Sequence, residues 1–348
     1  MLPAPDFLPC TLPLVQAPMA GISTPELAAA VSNAGALGSI AVGAVDAGRA
    51  GELITRTRAL TDRPFNVNVF CHAPPRERGD VDRAWQAHLA PAFAEFEAAP
   101  PERFDNLYAS FIDDEAMLTL LIERRPAVVS FHFGIPDAAR IRALKSAGIT
   151  LMASATTPAE AERIEAAGID VIIAQGAEAG GHRGVFDPDS GDAMIGTLAL
   201  TRLIAARTTC PVIAAGGLMD RAAIEGVLAA GAGAAQLGTA FIACPESSAG
   251  EAQRALLLSE RAPETRVTSA ISGRPARAIV NRFVRELDTP DRPPVPDYPR
   301  AYHAGKALAA AARDAGSHEF DACWAGQGAP LARALPAAEL VAALTGTG

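Results

Sequence analysis

Tyrosine is scarce in this chain, with three in 348 residues. The five cysteines, Cys10, Cys71, Cys210, Cys244 and Cys323, include no C-x-x-C pair. That scatter excludes a disulfide frame and a thiolate zinc site, and it points to reduced thiols in a cytoplasmic setting. No apolar run approaches the roughly 18 residues of a membrane helix. No Lys or Arg precedes the apolar N-terminal residues, so a secretory signal is not expected either. The formal net charge is -9 and no basic run stands out, so the electrostatic footprint of a nucleic-acid partner is missing. The six histidines are dispersed, and no His/Asp/Glu set has ligand spacing, so no metal site is expected. No Gly-x-Gly-x-x-Gly joins a strand to a helix, which leaves a Rossmann nicotinamide site unsupported.

What is present is a chain that is 49% apolar, enough for a sizeable core in one large α/β domain or two modest ones. Eight short runs, at 14–17, 37–42, 65–70, 128–133, 150–154, 171–174, 212–215 and 234–237, are continuously apolar or small. Strands buried on both faces read this way. Helices between them carry clear punctuation. Thr24-Pro25-Glu26 and Thr157-Pro158-Ala159-Glu160 start two, Asp220 caps a third, and Gly35, Gly168 and Gly231 end them. Eight such units predict an α/β fold, a (β/α)8 TIM barrel, with a doubly wound sheet as the alternative. The long spacing after the third strand predicts a helical insertion at about 71–127, with helices around 84–98 and 113–124. The barrel is expected over 1–245. A helical C-terminal extension over 246–348, with helices around 251–258, 302–313 and 336–344, is expected to pack on it and close the active site. The linker 288–300 holds five prolines.

Active sites of such barrels lie at the C-terminal strand ends. Asn68 sits on the third strand, and Ser130 and His132 on the fourth. The sixth runs into Gln175-Gly176-Ala177-Glu178-Ala179-Gly180-Gly181-His182-Arg183-Gly184. An imidazole in a glycine loop suits ligand contact better than core filling. Gly216-Gly217 and Gln236-Leu237-Gly238-Thr239 follow the last two strands, where barrels hold a phosphate through backbone N–H groups. Glu178 reads as a carboxylate that holds its own loop. His132, on an apolar strand, reads as a satisfied core histidine or as a wall of the pocket. Tyr298, Tyr302 and Lys306 share one face if the segment is helical, with Pro299 in its first turn.

The ordered blocks PMAGISTPELAAAVSNAGALGSI, FNVNVF, VVSFHFGIP, AQGAEAGGHRG, VIAAGGLMD and QLGTAF resemble the FMN-dependent nitronate monooxygenases, once called 2-nitropropane dioxygenases. SGRPARAIVNRF and WAGQGAPL extend the resemblance into the tail and are similar to class I. The resemblance implies FMN at the barrel mouth. Asn68 and Gln175 match positions at the flavin ring. Gly180, Gly216, Gly217 and Gln236 to Thr239 match positions around the ring and phosphate, and Gly181 belongs to the same loop. Met19 matches the first-strand residue against the ring system. His182 matches the active-site histidine. Tyr108, Tyr298, Tyr302 and Lys306 are the pocket-closing candidates, and His132 a pocket-wall candidate.

The implied chemistry is oxidation of an alkyl nitronate by O2 to a carbonyl compound and nitrite. Propionate 3-nitronate is the leading substrate candidate that the resemblance offers, and the sequence does not fix the physiological one. His182 could act protonated, as an anion-binding cation, or neutral, as the base toward a nitroalkane. A relative that reduces flavin with NAD(P)H, such as a quinone reductase or an enoyl-acyl-carrier-protein reductase, is the competing reading. No basic pair for a dinucleotide's phosphates is evident, although Arg183 lies close. A non-enzymatic FMN-binding protein is the third reading. A homodimer is compatible with the sequence, which does not fix the assembly.

Overall fold

A computed structural model describes Leu2 and residues 5–346. Its main sheet has eight parallel strands: Leu14–Gln16, Gly38–Ala41, Phe65–Phe70, Val128–His132, Thr150–Ala155, Val171–Gln175, Val212–Ala215 and Ala234–Leu237. They pair in barrel order, with the first strand beside the eighth. A parallel bridge between Val15 and Leu37 brings the first and second strands together, closing the barrel. Every apolar run expected to be a strand is one, and the fold is the (β/α)8 barrel.

The local signals work as their chemistry requires. Thr24 accepts from the Leu27 N–H at the start of Pro25–Asn33, and Asp220 accepts from Ala223 at the start of Arg221–Ala229. Thr157 and Glu160 form a reciprocal capping box at the start of Pro158–Ala166. Each such cap satisfies donors the helix cannot, worth about 1 kcal/mol. Strand three alternates. Val67 and Val69 join the apolar layer under the helices. Asn66 donates to Ser39 Oγ at 3.1 Å and to Ser130 Oγ at 2.9 Å. Gln16 Oε1 accepts from the Ser39 N–H at 2.8 Å. This buried polar layer lies inside the barrel, together with an apolar layer of Val15, Leu37, Val128, Met152 and Ile213.

Three expectations need correction. Helix Glu115–Arg124 packs between Ala47–Leu60 and Ala138–Ser146, so it is the barrel's own third helix and not part of an insertion. The extra piece is centred on Gly79–Ala94, whose Trp85, Leu89 and Phe93 pack with Phe283, Leu308 and Phe320 of the tail. Second, the tail is not purely helical. Thr265–Thr268 and Ala276–Ile279 are antiparallel strands, and the latter pairs with Gly181–His182. Short strands with alternating arginines carry little local signal, and their partner is a two-residue segment far away in the chain. Third, Ala337–Thr345 packs against Pro25–Asn33 and Arg221–Ala229. It fills the eighth helix position, so a boundary at 245 divides the last βα unit. Among the described residues no helix is long and apolar enough to cross a membrane.

Candidate active site

The C-terminal strand ends open into a cavity of about 480 Å3. Its lining gathers every residue named above as a catalytic, cofactor or pocket candidate, while Glu178 and Arg183 lie outside it. Gly216, Gly217 and Gln236 to Thr239 form one rim. Met19, Asn68, Gln175, Gly180 and Gly181 line the floor and one side. His132, His182, Tyr108, Tyr298, Tyr302 and Lys306 form the opposite wall and lid.

His182 is held from two directions. Its Nε2 lies 2.8 Å from Ser272 Oγ, and its backbone pairs with Ala276. Its carbonyl accepts from Gln175 Nε2 at 3.0 Å and from His132 Nε2 at 3.1 Å. His132 Nδ1 faces Ser154 Oγ at 3.0 Å. A carbonyl only accepts, so His132 carries its proton on Nε2 and is a neutral ring that supports the loop. Among the described residues no hydrogen bond is made by His182 Nδ1. Ser272 can donate to the Arg274 carbonyl at 3.2 Å or turn toward Nε2. A hydroxyl therefore permits either tautomer, where a carboxylate would impose one. Burial, followed by the neighbouring His132, which disfavours a second protonated ring, and by the Arg274 charge, pushes the His182 pKa down to about 3. Burial pushes His132 down to about 4. Both rings are neutral at pH 7.

The glycine loop is fastened at several points. Gln175 Oε1 accepts from the Gly184 N–H at 2.7 Å, so this amide is committed to loop support as well as facing the cavity. Glu178 accepts from the N–H and hydroxyl of Thr197, both at 2.8 Å, at the start of Thr197–Ala205. Arg277 donates to the Ala177 carbonyl at 2.8 Å. Arg183 is fully buried and paired with Asp192 at 2.7 Å. It also donates to the Gly176 carbonyl at 2.6 Å, which removes it as a ligand for a dinucleotide phosphate. A Cβ on Gly180 would stand 2.4 Å from the Gly326 nitrogen, so only glycine lets the tail pass there.

The lid is aromatic. Tyr298 and Tyr302 have ring centroids 5.5 and 6.0 Å from that of His182. Trp324 lies 5.1 Å from His182 and donates from Nε1 to Tyr302 Oη at 3.3 Å. Lys306 bonds the Tyr108 hydroxyl and stands 4.9 Å from the centroids of Tyr108 and Tyr302, a cation–π arrangement. Burial pushes the Tyr108 phenol up to about 12 and raises Tyr298 and Tyr302, so all three are neutral. The helix starts at Arg300, not at Tyr298. Tyr298 reaches the lid from the segment before it.

The rim has a different character. Among the described residues the N–H groups of Gly217, Gly238 and Thr239 donate to no protein acceptor. Thr239 Oγ1 accepts from the Gly326 N–H at 3.0 Å, which leaves its own proton free to donate. Gly216 and Gly217 have φ of 122° and 72°, backbone that favours glycine. Gln236 Oε1 is buried without a partner. That oxygen only accepts, so the groups that fit a phosphate without any basic side chain are the three unclaimed N–H groups and the Thr239 hydroxyl.

Comparison with known proteins bears on the family and the fold. The family described as nitronate monooxygenase matches residues 3–347. A nitronate monooxygenase of Pseudomonas aeruginosa is 56% identical over 334 residues, covering 95% of each chain. One from Paraburkholderia phytofirmans is 57% identical, covering 95% of this chain and 91% of its own. The chain belongs to the nitronate monooxygenase family. Among solved structures, nitroalkane oxidase from Streptomyces ansochromogenes superposes with a TM-score of 0.89 at 43% identity, covering 97% and 96% of the two chains. FabK from Thermotoga maritima gives 0.73 at 28% identity, covering 97% and 93%.

Four residues around this family's pocket escaped sequence reasoning. Phe133 and Trp324 line the cavity, Ser272 holds His182, and Arg274 stacks on Phe133 at 4.5 Å. A signal existed. Ser272 and Arg274 belong to SGRPARAIVNRF, Trp324 and Gly326 to WAGQGAPL, and Phe133 to VVSFHFGIP. Nothing local in those blocks says that they meet at His182.

Proposed function

We infer that the chain oxidises alkyl nitronates with O2, using FMN, to a carbonyl compound and nitrite, with His182 as the residue that meets the reacting group. The observation that carries this reading is a single cavity with a fixed imidazole on one wall and a rim of unclaimed amide donors on the other. Gly217, Gly238 and Thr239 would hold the FMN phosphate. Asn68, Gln175, Gly180 and Met19 would lie toward the ring system. FMN, when bound, takes electrons from the nitronate carbanion and delivers them to O2.

The chain's own work is binding, orientation and exclusion of water. A nitronate is already an anion and needs no base. Neutral His182, in the tautomer that carries the proton on Nδ1, can donate to a nitronate oxygen while Ser272 donates to Nε2. A pKa near 3 makes the ring a poor base for a carbon acid, since a general base works best with a pKa near the working pH. This favours the nitronate over the parent nitroalkane. Tyr108, Tyr298, Tyr302 and Lys306 close the cavity over a small substrate. A cytoplasmic location fits the five free cysteines.

Acid release of the cofactor followed by chromatography, with nitrite assayed in the same preparation, tests the reading. The expected result is one FMN per chain, released without covalent breakage, and nitrite formed from ethylnitronate. FAD, or well-folded flavin-free protein with no nitrite, would reject it.

A further inference from the structure

Among the described residues Arg274 is a buried cation that forms no ion pair. Only 4% of it is exposed. It donates to the Val185 carbonyl, while its Nε is buried without a partner. The carboxylates that feel its charge, Glu160 and Asp187, form no ion pair with it among the described residues. They are occupied by the Phe186 N–H and the Ser190 hydroxyl, respectively. A buried guanidinium is ordinarily paired, because leaving it alone is costly. Here its Cζ sits 4.5 Å from the centroid of Phe133. Phe133 lines the cavity and meets His182 edge to face, at 5.5 Å and 90°.

Phe133 is itself unusual. Its φ is 71°, left-handed backbone that bulky residues avoid. Its ring is packed by Phe70, His132, His182 and Tyr298. The strained backbone therefore holds one aromatic ring between an unpaired cation and the active-site imidazole. The charged and titratable neighbours of His182 are Arg274, His132, Tyr298 and Tyr302, with Lys306 bonded to Tyr108 in the lid. No carboxylate stands among them.

We propose that Arg274 is a positioning residue that supplies a permanent positive field through Phe133, so that an anionic substrate is drawn to His182. The proposal rests on the nitronate reading. Arg274 adds to the charge of Lys306, which stands in the lid against Tyr108 and Tyr302, a second positive charge behind the ring that meets His182.

The test compares Arg274→Met, Arg274→Gln and Arg274→Lys in the flavin-loaded protein, with Lys306 kept throughout. KM is measured for ethylnitronate and for uncharged nitroethane. Sodium nitrate, a planar oxyanion that is not turned over, is titrated by calorimetry. One unit charge at such a separation in a partly polar interior is worth about tenfold in affinity. Arg274→Met and Arg274→Gln should therefore raise the nitronate KM and the nitrate Kd about tenfold. The nitroethane KM should stay within about twofold, and Arg274→Lys should recover most of the loss. Equal losses for charged and neutral ligands, or an unchanged nitrate Kd, would reduce Arg274 to packing and overturn the proposal. If the neutral variants do not fold, Lys306→Met decides. Nitrate affinity that stays within about threefold and flat between pH 6 and 8 supports Arg274, whereas loss of nitrate binding assigns the charge to Lys306, and affinity that climbs as pH falls through 6.5 assigns it to His182; either of these overturns the proposal. A wild type that binds nitrate this way but does not oxidise nitronate would remove the functional reading and leave the charge claim standing.

Discussion

On one side of the cavity, Gly216, Gly217, Gly238 and Thr239 offer backbone donors from two turns that directly follow neighbouring barrel strands. On the other, His182, Phe133, Tyr108, Tyr302 and Trp324 meet from five separate segments, two of them in the tail. The rim is made by local chain geometry and the wall by long-range packing. The two should therefore fail differently. A rim change should cost cofactor affinity and leave the chemistry of retained flavin intact, whereas a wall change should leave the cofactor bound and alter turnover or selectivity.

The sharpest break is His182→Ala. Turnover should fall about 10²-fold or more, the usual size for losing one positioned donor to a charged reacting oxygen, while flavin content stays full. Steady-state rates on ethylnitronate and nitroethane, with flavin counted by absorbance, check this. Near-normal rates on both substrates would reject the role. On the rim, Thr239→Val keeps the shape and removes the hydroxyl. A lost hydrogen bond to a charged group costs about 1.5–3 kcal/mol, so FMN affinity should drop about tenfold or more by equilibrium titration, with kcat per bound flavin unchanged.

Tyr302→Ala should act only on the wall. It removes the contacts to His182, Trp324 and Lys306. The nitronate KM should rise several-fold, bulkier nitronates should become substrates, and Tm should move little. A large fall in Tm with unaltered kinetics would show that the tyrosine merely packs.

The smallest effect concerns pH. His72 is buried behind the wall, its ring 5.0 Å from that of Tyr298 and 6.4 Å from that of Phe133. Burial holds His72 at about 4, His132 at about 4 and His182 at about 3, all below the unfolded value near 6.5. The unfolded chain therefore takes up protons that the native wall refuses. Stability is full above about pH 6.5 and is lost as pH falls toward 4. For fully buried His72 the limit is on the order of 3 kcal/mol. Tm measured from pH 7.5 to 5 should decline, and His72→Phe should flatten the decline. A Tm that rises on acidification would contradict it.

The same contrast sets what was legible in the sequence. Rim residues sit within three positions of a barrel strand, and strand runs with glycine turns are local patterns, so Gly216-Gly217 and Gln236 to Thr239 could be read directly. His182 was legible through its glycine loop. The residues that place it were not. Ser272 lies ninety positions away, on a turn whose Gly273 has a φ of 91° and packs against Pro296 and Tyr298. The strand it leads into is four residues long and pairs with two. The closing helix Ala337–Thr345 could be read as a helix, but its place in the barrel ring depends on packing against Pro25–Asn33 at the other end of the chain.

The central claim is that the cavity serves the oxidation of a small nitronate anion and does not take a dinucleotide. The cavity supports it, because Arg183 is buried against Asp192 and Lys306 is the only lysine or arginine in the lining. The direct measurement mixes the flavin-loaded protein anaerobically with NADPH or NADH, and aerobically with ethylnitronate. The account predicts that neither nucleotide bleaches the flavin on a catalytic timescale, while nitronate consumes oxygen and yields nitrite. Rapid bleaching by NADPH with no oxygen uptake on nitronate would contradict it.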